Sequence, residues 1–406
     1  MDENNWIWLF IKQFYIFLII VLLMIFKFIT IYQFIIGYLI FCIYHQLFTY
    51  TKIYYSKNSK IISEILKKCP SIASLNYKPP FFFPINPLQL INLNRTMKKP
   101  KYKISIIREY IKNNGESLDW IKYENISIEN KPILIIFPGL TGSVNDPYVF
   151  NIVNEGILNG FNVGIYQMRI LNDTFKHLEK PYLCLMDDID DTLDHIRKKF
   201  GEKIKIYAIG YSYGANQLVK YLGLKNCIIK KIFAAVSISN PFEFLICEKF
   251  LTKTIYNRML LIFLQNSFKK TRKAFEKYEI YKKNCDKIAN TTEMRDYDKY
   301  LTIKLFGFET VTDYYREVGC AIQLKNLNIP LLCINALDDQ NTNAKAIPYD
   351  YIENNKNIIL LTPSLGSHSC FLMNDGFFGV KQWIIKPEIE FIKACDKLND
   401  ILNKFD

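Results

Sequence analysis

The sequence predicts an α/β fold in which a mostly parallel sheet is flanked by helices. From about residue 100 onward, short apolar runs alternate with amphipathic, helix-like stretches such as residues 187–200. Continuous β-branched runs are typical of strands that are buried on both faces of a parallel sheet. The apolar run at residues 205–209 is followed by a serine that stands between two glycines, and a helical pattern begins directly after it. The predicted strands are ILIIF (133–137), NVGIY (162–166), KIYAI (205–209), IFAAV (232–236), PLLCI (330–334) and IILLT (358–362).

The composition is that of a chain with a large buried core. It has 406 residues, of which half are apolar and 15% aromatic, enough for one large domain with an appendage. The net charge is +13, but the lysines are scattered and are not interleaved with stacking aromatic residues. Nucleic acid is therefore not expected as a partner. Ten cysteines without a C-x-x-C pair indicate free, mostly buried thiols.

The N-terminal segment is predicted to anchor the chain in a membrane as a single pass. Residues 6–48 are almost entirely apolar, and a bilayer-spanning helix needs about 20 such residues. The pattern fits one tilted transmembrane helix, or a span followed by an interfacial helix, and it is too long for a signal peptide. Several lysines directly follow the segment, which predicts a cytosolic catalytic domain; they are Lys52, Lys57, Lys60, Lys67 and Lys68.

Three regions are expected along the chain. Residues 1–50 form the anchor, residues 51–100 a connector interrupted by prolines, and residues 101–400 the α/β domain. Within that domain the regular spacing of strands fails between about 240 and 310. This lysine-rich stretch carries helical patterns, which predict a helical lid inserted between two strands.

The stretch IYAIGYSYGANQLVKYLG (206–223) is the most informative motif. A strand, a tight turn and a helix place the turn residue at the carboxyl edge of a parallel sheet, and its neighbours at i−2 and i+2 must be small. Ser212 lies between Gly210 and Gly214 in this arrangement, known as a nucleophile elbow. We therefore expect the Ser212 hydroxyl to act as a nucleophile at the start of a helix, where negative charge is stabilised.

A serine nucleophile needs a base, and the sequence contains four histidines. His45 lies in the anchor, His177 in a loop, and His195 in the middle of a helical stretch where a solvent-facing position is expected. His368 follows the last predicted strand in a Gly- and Ser-containing loop. The order nucleophile, acid, base along the chain requires the histidine at this place, so His368 is predicted to be the base.

The acid that orients the base is expected just beyond the strand LLCIN. Asp338 and Asp339 are both reachable there, and we favour Asp339, with Asp338 as a residue that caps the loop. The backbone N–H groups of Leu140, in the loop PGLTGS after the first strand, and of Tyr213 are predicted to form the oxyanion hole.

No cofactor or metal is predicted. An acidic run occupies the first turns of a helical stretch, where the helix dipole favours carboxylates and helical spacing spreads them around the axis. Its members are Asp187, Asp188, Asp190, Asp191 and Asp194.

These motifs together resemble the YheT-like branch of membrane-anchored α/β-hydrolases, which includes fungal ethanol acyltransferase/esterases and animal lipases. The matching segments occur in order over most of residues 75–395: NYKPP, Asp119-Trp120, FPGLTGS, IGYSYGANQLVKYLG, MRDYDKYLTIKLFGFETVTDYY, INALDD, AIPYDYI and the loop that holds His368. The resemblance implies an α/β-hydrolase fold with Ser212 as nucleophile, Asp339 as acid and His368 as base.

The chain departs from that family at three places. The family's G-G-H-x-G-F around the base reads GSHSCF, its N-x-R-G after the fourth strand reads QMRIL, and Gly319-Cys320 replaces a Ser or Cys after the Tyr-Tyr segment. The expected function is a membrane-anchored serine hydrolase that cleaves lipid-like carboxylic esters through an acyl-enzyme. The alternatives are acyl transfer to an alcohol with the same residues, and a catalytically weak membrane scaffold on a hydrolase fold.

Overall fold

The structure, a computed structural model, describes residues 31–97, 103–111, 116–124, 131–140, 142–168, 186–224, 232–252 and 254–402. Residues 1–30 of the predicted anchor, His177 and the end of the QMRIL segment lie outside the described residues.

The described strands form one nine-stranded sheet with the order β1-β9-β8-β7-β6-β4-β5-β3-β2, and a separate hairpin of β10 and β11. Strands β4 to β9 run parallel to one another, whereas β1, β3 and β2 are antiparallel to their neighbours. The strands are β1 Thr51–Tyr55, β2 Ile104–Tyr110, β3 Ser117–Tyr123, β4 Ile133–Phe137, β5 Asn162–Gln167, β6 Ile206–Tyr211, β7 Ala234–Ile238, β8 Leu331–Ile334, β9 Ile358–Pro363, β10 Leu372–Asn374 and β11 Val380–Gln382.

Helices cover both faces of this sheet. They are α1 Ile31–Phe48, α2 Lys60–Lys68, α3 Pro70–Ala73, α4 Asn86–Asn92, α5 Pro147–Leu158, α6 Met186–Phe200, α7 Tyr213–Leu224, α8 Phe244–Leu251, α9 Ile255–Phe275, α10 Glu279–Lys282, α11 Cys285–Asn290, α12 Met294–Tyr297, α13 Ile303–Phe306, α14 Val311–Val318, α15 Tyr349–Asn354 and α16 Ile385–Leu402. The predicted α/β-hydrolase fold is therefore confirmed, with six parallel strands at its centre.

Strand β4 shows why the parallel runs are apolar without interruption. Ile133, Ile135 and Phe137 pack into the core on the face that carries α6 and α7. Leu134 and Ile136 pack into a second core with α2, α5 and α16 on the opposite face. Both faces of the central strands are buried, so every position along them favours an apolar residue.

The predicted strands agree with the structure apart from their ends. The run 232–236 stops at Val236, but β7 starts at Ala234 and continues to Ile238. The predicted strand ended before Ser237 because this residue is polar and interrupts the apolar run. Its hydroxyl is buried and accepts a hydrogen bond from Asn240 Nδ2 at 2.9 Å, which removes the cost of burying it.

Three strands of the sheet escaped the sequence analysis. Strand β1 lies in the predicted connector and pairs with the last parallel strand. Strands β2 and β3 contain charged residues, and the buried carboxylate of Asp119 is neutralised by Arg108 through two hydrogen bonds of 2.7 and 2.8 Å. A strand that contains such a cross-strand ion pair has no continuous apolar run, so apolar runs alone do not predict it.

The region between β7 and β8 is helical over most of residues 240–310, and its role as a lid stays a prediction. Helices α8 to α13 lie there, and α9 to α13 share a small hydrophobic cluster of their own, which includes Leu264, Phe268 and Phe275. A second appendage is helix α1, which is long and apolar enough to cross a membrane. Most of its large apolar side chains are exposed, and only Cys42 and His45 are buried.

Candidate active site

The parallel strands bring all five predicted site residues to one edge of the sheet. Ser212 follows β6, Leu140 follows β4, Asp339 follows β8 and His368 follows β9, while Tyr213 is the first residue of α7. Because parallel strands end on the same side, their carboxyl ends collect these loops into one place.

Ser212 occupies the tight turn that the motif predicts. Its φ is +53°, a left-handed conformation that is strained for a residue with a side chain. A Cβ added to Gly214 would lie 2.2 Å from the carbonyl oxygen of Pro138, and one added to Gly210 would lie 2.6 Å from the Cα of Ala215. Both glycines are therefore required by the close approach of strand, turn and helix.

Ser212, His368 and Asp339 form a continuous chain of hydrogen bonds. His368 Nδ1 lies 2.8 Å from Asp339 Oδ2, and His368 Nε2 lies 2.9 Å from Ser212 Oγ. Since a carboxylate can only accept, Nδ1 carries the proton, and Nε2 is left to accept the hydrogen bond from the serine hydroxyl. This tautomer is the one in which the imidazole can take the serine proton.

The carboxylate of Asp339 is buried and held by its own loop. Oδ1 accepts hydrogen bonds from the N–H groups of Asn341 (2.8 Å) and Thr342 (3.1 Å), and Oδ2 accepts one from the Thr342 hydroxyl (2.6 Å). Several donors to one carboxylate fix its orientation. Thr342 was not singled out from the sequence, where no pattern distinguishes it from other loop threonines.

Asp338 has a different environment, although it is the next residue. Its Oδ1 accepts a hydrogen bond from the N–H of Ser367 at 2.9 Å, so it braces the loop of His368. Burial raises the pKa of Asp338 to about 7. The structure thus separates two carboxylates that the sequence left close to equivalent: one contacts the imidazole, and the other contacts the backbone beside it.

The loop that carries His368 is held in an unusual backbone conformation. Ser367, Ser369 and Phe371 have φ values of +58°, +57° and +42°, which non-glycine residues rarely adopt. Ser367 stands where the resembling family has glycine, and its hydroxyl donates a hydrogen bond of 2.8 Å to Asn86 Oδ1. The departure from the family motif therefore leaves the hydrogen bonds of His368 in place, at the cost of strain in the backbone.

Asn86 is a second residue that the sequence analysis missed. Its Oδ1 also accepts a hydrogen bond from Tyr256 of α9 at 2.8 Å, and its Nδ2 donates to the carbonyl of Asp338 at 3.0 Å. One buried amide therefore links the loops of the acid and the base to the first turn of α9. Asn86 lies between two prolines of the predicted connector, and nothing in that sequence pattern predicts this role.

The loop after β4 lies against the nucleophile. A Cβ added to Gly139 would lie 3.3 Å from Ser212 Cβ, and the Gly139 N–H donates to the Tyr148 hydroxyl at 3.1 Å. Leu140 and Tyr213 both border the cavity into which Ser212 opens. The participation of their amides in an oxyanion hole stays a prediction.

A cavity of about 150 Å³ extends from Ser212 and His368 under the lid. Its walls are mostly apolar and come largely from the helices between β7 and β8. The apolar residues that line it include Phe244, Leu251, Leu260, Leu264, Phe268, Phe275, Leu301 and Leu305. An enclosed apolar space beside a nucleophile suits a hydrocarbon chain and excludes bulk water.

One buried carboxyl group borders the same cavity. Asp298 Oδ1 accepts a hydrogen bond from Thr302 and Oδ2 one from Tyr315, each at 2.6 Å. Burial raises the pKa of Asp298 to about 6. Asp298 and Tyr315 both belong to the segment MRDYDKYLTIKLFGFETVTDYY. Their hydrogen bond gives a structural reason for the presence of both residues in this segment, although they are far apart along it.

The remaining sequence candidates lie apart from this site. His195 is partly buried, and not solvent-facing as expected, because its Nε2 lies 3.1 Å from Glu109 Oε2. The acidic run occupies the first turns of α6. Eight described cysteines are buried and free. Within the described residues, no cluster of three or more His, Cys, Asp or Glu side chains could hold a metal ion.

Comparison with known proteins found no matching family model but several relatives. The chain is 30% identical over 276 residues to the embryogenesis-associated protein EMB8 of Picea glauca, a match that covers 66% of this chain and 59% of that protein. It is 26% identical over 315 residues to phospholipase ABHD3 of Homo sapiens, covering 75% of each chain. It is 26% identical over 240 residues to the putative esterase YheT of Escherichia coli, covering 58% of this chain and 69% of that protein. Among solved structures, a Pyrococcus furiosus esterase aligns with 76% of this chain and 94% of its own length, with a TM-score of 0.41 and 14% identity.

Proposed function

Because the chain belongs to the YheT-like branch of the α/β-hydrolases, we propose that it is a serine hydrolase that cleaves lipid-like carboxylic esters at a membrane. The names of two relatives, a phospholipase and a putative esterase, agree with the predicted class of carboxylic ester hydrolase. The observation that carries the proposal is the hydrogen-bonded chain of Ser212, His368 and Asp339 at the mouth of an apolar cavity.

The geometry supports a two-step acyl transfer. Ser212 Oγ attacks the ester carbonyl while His368 Nε2 takes its proton, and the Asp339 carboxylate stabilises the resulting imidazolium. The negative charge on the carbonyl oxygen is placed near the amides of Leu140 and Tyr213. The imidazolium then protonates the departing alcohol, which leaves an acyl group on Ser212. In the second step His368 removes a proton from water as the water oxygen attacks the acyl carbon. The bond between this carbon and Ser212 Oγ then breaks, the imidazolium returns its proton to Oγ, and the acid is released.

The apolar lining supports an acyl chain as the buried part of the substrate. The cavity walls offer few polar groups near Ser212, so the head group of the ester would remain at the mouth while the hydrocarbon enters under the lid. An apolar space also favours a small alcohol over water as the acceptor, which is the route by which the same residues would transfer the acyl group to an alcohol.

Helix α1 supports the membrane location. It is 18 residues long and mostly exposed, and burial of such a surface in lipid is strongly favourable. The lysines that follow it favour a cytosolic domain. Asn290, in the sequon Asn290-Thr291-Thr292, is exposed on the lid, so expression in a eukaryotic cell offers a test. A cytosolic domain predicts no change in mobility on treatment with a glycosidase, whereas a luminal domain would carry a removable glycan at this asparagine.

The central test is labelling by a fluorophosphonate, which reacts with an activated serine. The wild-type chain should label, Ser212→Ala should not, and Ser74→Ala, which removes an exposed hydroxyl at the end of α3, should label like the wild type. Hydrolysis of a panel of vesicle-borne esters should fall on the order of 10⁴-fold or more in Ser212→Ala. Product analysis with added alcohol separates hydrolysis from acyl transfer. Absence of labelling in the wild type, under conditions that label a control esterase, would leave the scaffold alternative.

A further inference from the structure

A cluster of exposed and half-buried aromatic side chains lies beside helix α1 at the carboxyl edge of the sheet. The Phe82 ring stacks on Phe378 with centroids 5.4 Å apart and meets the edge of Phe377 at 5.8 Å, while Phe81 packs against Phe82 at 5.0 Å. Phe377 is 75% exposed and Phe378 62% exposed. These four phenylalanines, here called the phenylalanine cluster, form an apolar projection that water does not favour.

The sequence places the cluster at the tip of a hairpin. Phe377 and Phe378 lie in the turn between β10 and β11, whose chain reversal is closed by a hydrogen bond of 2.9 Å from the Asp375 N–H to the Gly379 carbonyl. Arg95 fixes the turn from the side: its Nη2 donates to the Phe378 carbonyl at 2.8 Å and its guanidinium lies over the Phe83 ring. The two rings are therefore held outward on a braced support.

Direct contacts join this cluster to the helix that can cross a membrane. Tyr38 donates a hydrogen bond of 2.5 Å to the Phe82 carbonyl, and Gln46 donates one of 2.7 Å to the Pro79 carbonyl. The Lys78 ammonium donates to the carbonyl oxygens of Gln46 and Thr49 at the end of the helix. Hydrogen bonds thus hold the helix against the segment that carries Phe81 and Phe82.

The strand that follows helix α1 determines which end of the domain faces the membrane. Thr51, the first residue of β1, pairs with Pro363, the last residue of the parallel strand β9. The helix therefore enters the domain at the carboxyl ends of the parallel strands, where Ser212 and His368 lie. A helix that crosses a bilayer here brings the same end of the sheet to the lipid.

The lid continues the apolar surface. Ile255, Met259, Ile262 and Phe263 are exposed and recur at the spacing of one helical face of α9. The first turn of this helix is tied to α4 by the hydrogen bond between Tyr256 and Asn86, and α4 directly follows the phenylalanine cluster in the chain. Two separate elements therefore present apolar side chains around the same edge of the sheet.

We propose that the phenylalanine cluster and the exposed face of α9 form a membrane-docking surface that inserts into the outer part of the lipid leaflet next to helix α1. The occupant of the surface is lipid, since the surface is continuous with a helix that itself requires lipid. Arg95 and Lys381 lie beside the hairpin, where Lys381 is 3.5 Å from Asp375, and Lys78 lies at the end of helix α1. Their positive charges are suited to contact lipid phosphates. The proposal rests on the membrane location proposed above but not on the ester chemistry.

The test uses full-length protein in phospholipid vesicles with a nitrobenzoxadiazole fluorophore on a single introduced cysteine. The probe positions are Phe378→Cys and Phe263→Cys. The matched controls are Leu158→Cys and Leu224→Cys, which are also exposed apolar residues but lie at helix ends on the amino side of the sheet. Wild-type protein treated in the same way gives the background from its own cysteines. The Ser212→Ala background keeps the lipids intact and makes the result independent of activity.

Insertion predicts that the emission at positions 378 and 263 shifts to shorter wavelength and loses intensity when the acyl chains carry bromine, while positions 158 and 224 stay sensitive to aqueous iodide. Iodide access at 378 equal to that at 158 would overturn the proposal. Shielding from iodide without quenching by bromolipid would overturn it as well, because a second copy of the chain or another protein would then cover the cluster. Absence of fluorophosphonate labelling in the protein that retains Ser212, together with normal insertion, would instead refute only the proposed chemistry.

Discussion

The two ends of the parallel strands adopt the same unusual backbone conformation with different residues. At the amino end, where α5 leads into β5 and α6 leads towards β6, the positive φ values of +89° and +95° belong to Gly160 and Gly201. At the carboxyl end they belong to Ser212, Ser239, Ser367, Ser369 and Phe371. Glycine adopts this region without strain, whereas other residues do so at a cost of roughly 1–2 kcal/mol each. The strained turns of the sheet are therefore concentrated where the candidate nucleophile and base lie.

The difference indicates that the carboxyl end is shaped for the position of its side chains and the amino end for stability. A serine in a left-handed turn projects its hydroxyl where a relaxed turn could not, and the surrounding contacts must hold it there. The following substitutions test this contrast, beginning with the largest expected effect.

Asp339→Asn should produce the largest loss at the carboxyl end. The amide can no longer accept from His368 Nδ1 as a carboxylate does, so the imidazole loses the orientation and the charge stabilisation that the base needs. Turnover of a vesicle-borne ester should fall by about 10⁴-fold with little change in thermal stability. Asp338→Asn is the matched control, since an amide oxygen there can still accept from the Ser367 N–H, and its loss should be far smaller. The reverse ranking would reassign the acid.

Gly214→Ala should disrupt the elbow itself. The added methyl group would lie 2.2 and 2.3 Å from two backbone oxygens, which cannot move away as a flexible side chain could. We expect a loss of at least about 3 kcal/mol in the free energy of unfolding, or no folded protein. Gly37→Ala is the control, because nothing lies within 4 Å of that position on the exposed helix α1. A stable Gly214→Ala protein would show that the turn is less crowded than described.

Asp338→Asn should change the dependence of stability on pH. The folded-state pKa of Asp338 is raised to about 7 from an ordinary value of 3.8, so between pH 4 and 7 the unfolded chain has released a proton that the folded chain retains. The free energy of unfolding of the wild type therefore falls through this window as pH rises, and asparagine does not titrate. The stability of the variant relative to the wild type should increase from pH 4.5 to 7.5 by an amount of the order of a few kcal/mol.

Urea unfolding in detergent at the two pH values measures this difference. Asp350→Asn, which removes an exposed carboxylate in the first turn of α15, should show almost no such change. An unchanged difference between Asp338→Asn and the wild type would mean that the Asp338 carboxyl is not buried in its neutral form.

Two substitutions with the smallest expected effects compare the carboxyl and amino ends of the parallel strands directly. Ser369→Gly should stabilise the protein by about 0.5–1 kcal/mol, because it relieves a left-handed serine whose buried hydroxyl lacks a hydrogen-bond partner among the described residues. Gly160→Ala should destabilise it by about 1–2 kcal/mol, because space is open there but the conformation is not suited to alanine. Thermal unfolding of both variants measures the contrast, which equal shifts in the same direction would contradict.

Much of this architecture is visible in the sequence for identifiable reasons. The six parallel strands are buried on both faces and are therefore apolar without interruption, and the elbow requires glycine on both sides of Ser212. The edge strands were missed because their pattern depends on partners. Asp119 is tolerated in β3 only since Arg108 stands opposite it, and β1 joins the sheet through pairing with a strand 300 residues away.

The amino-acid sequence by itself determined the class of fold, the place of the nucleophile in a crowded turn, the order of acid and base along the chain, and the apolar helix at the N-terminus, because each depends on residues that are close in sequence. Only the tertiary structure decided which of two adjacent aspartates contacts His368, which residues brace its strained loop, and which end of the sheet lies beside the apolar helix. Those outcomes depend on contacts between segments far apart in the chain, where small differences in backbone direction determine which side chain meets which partner.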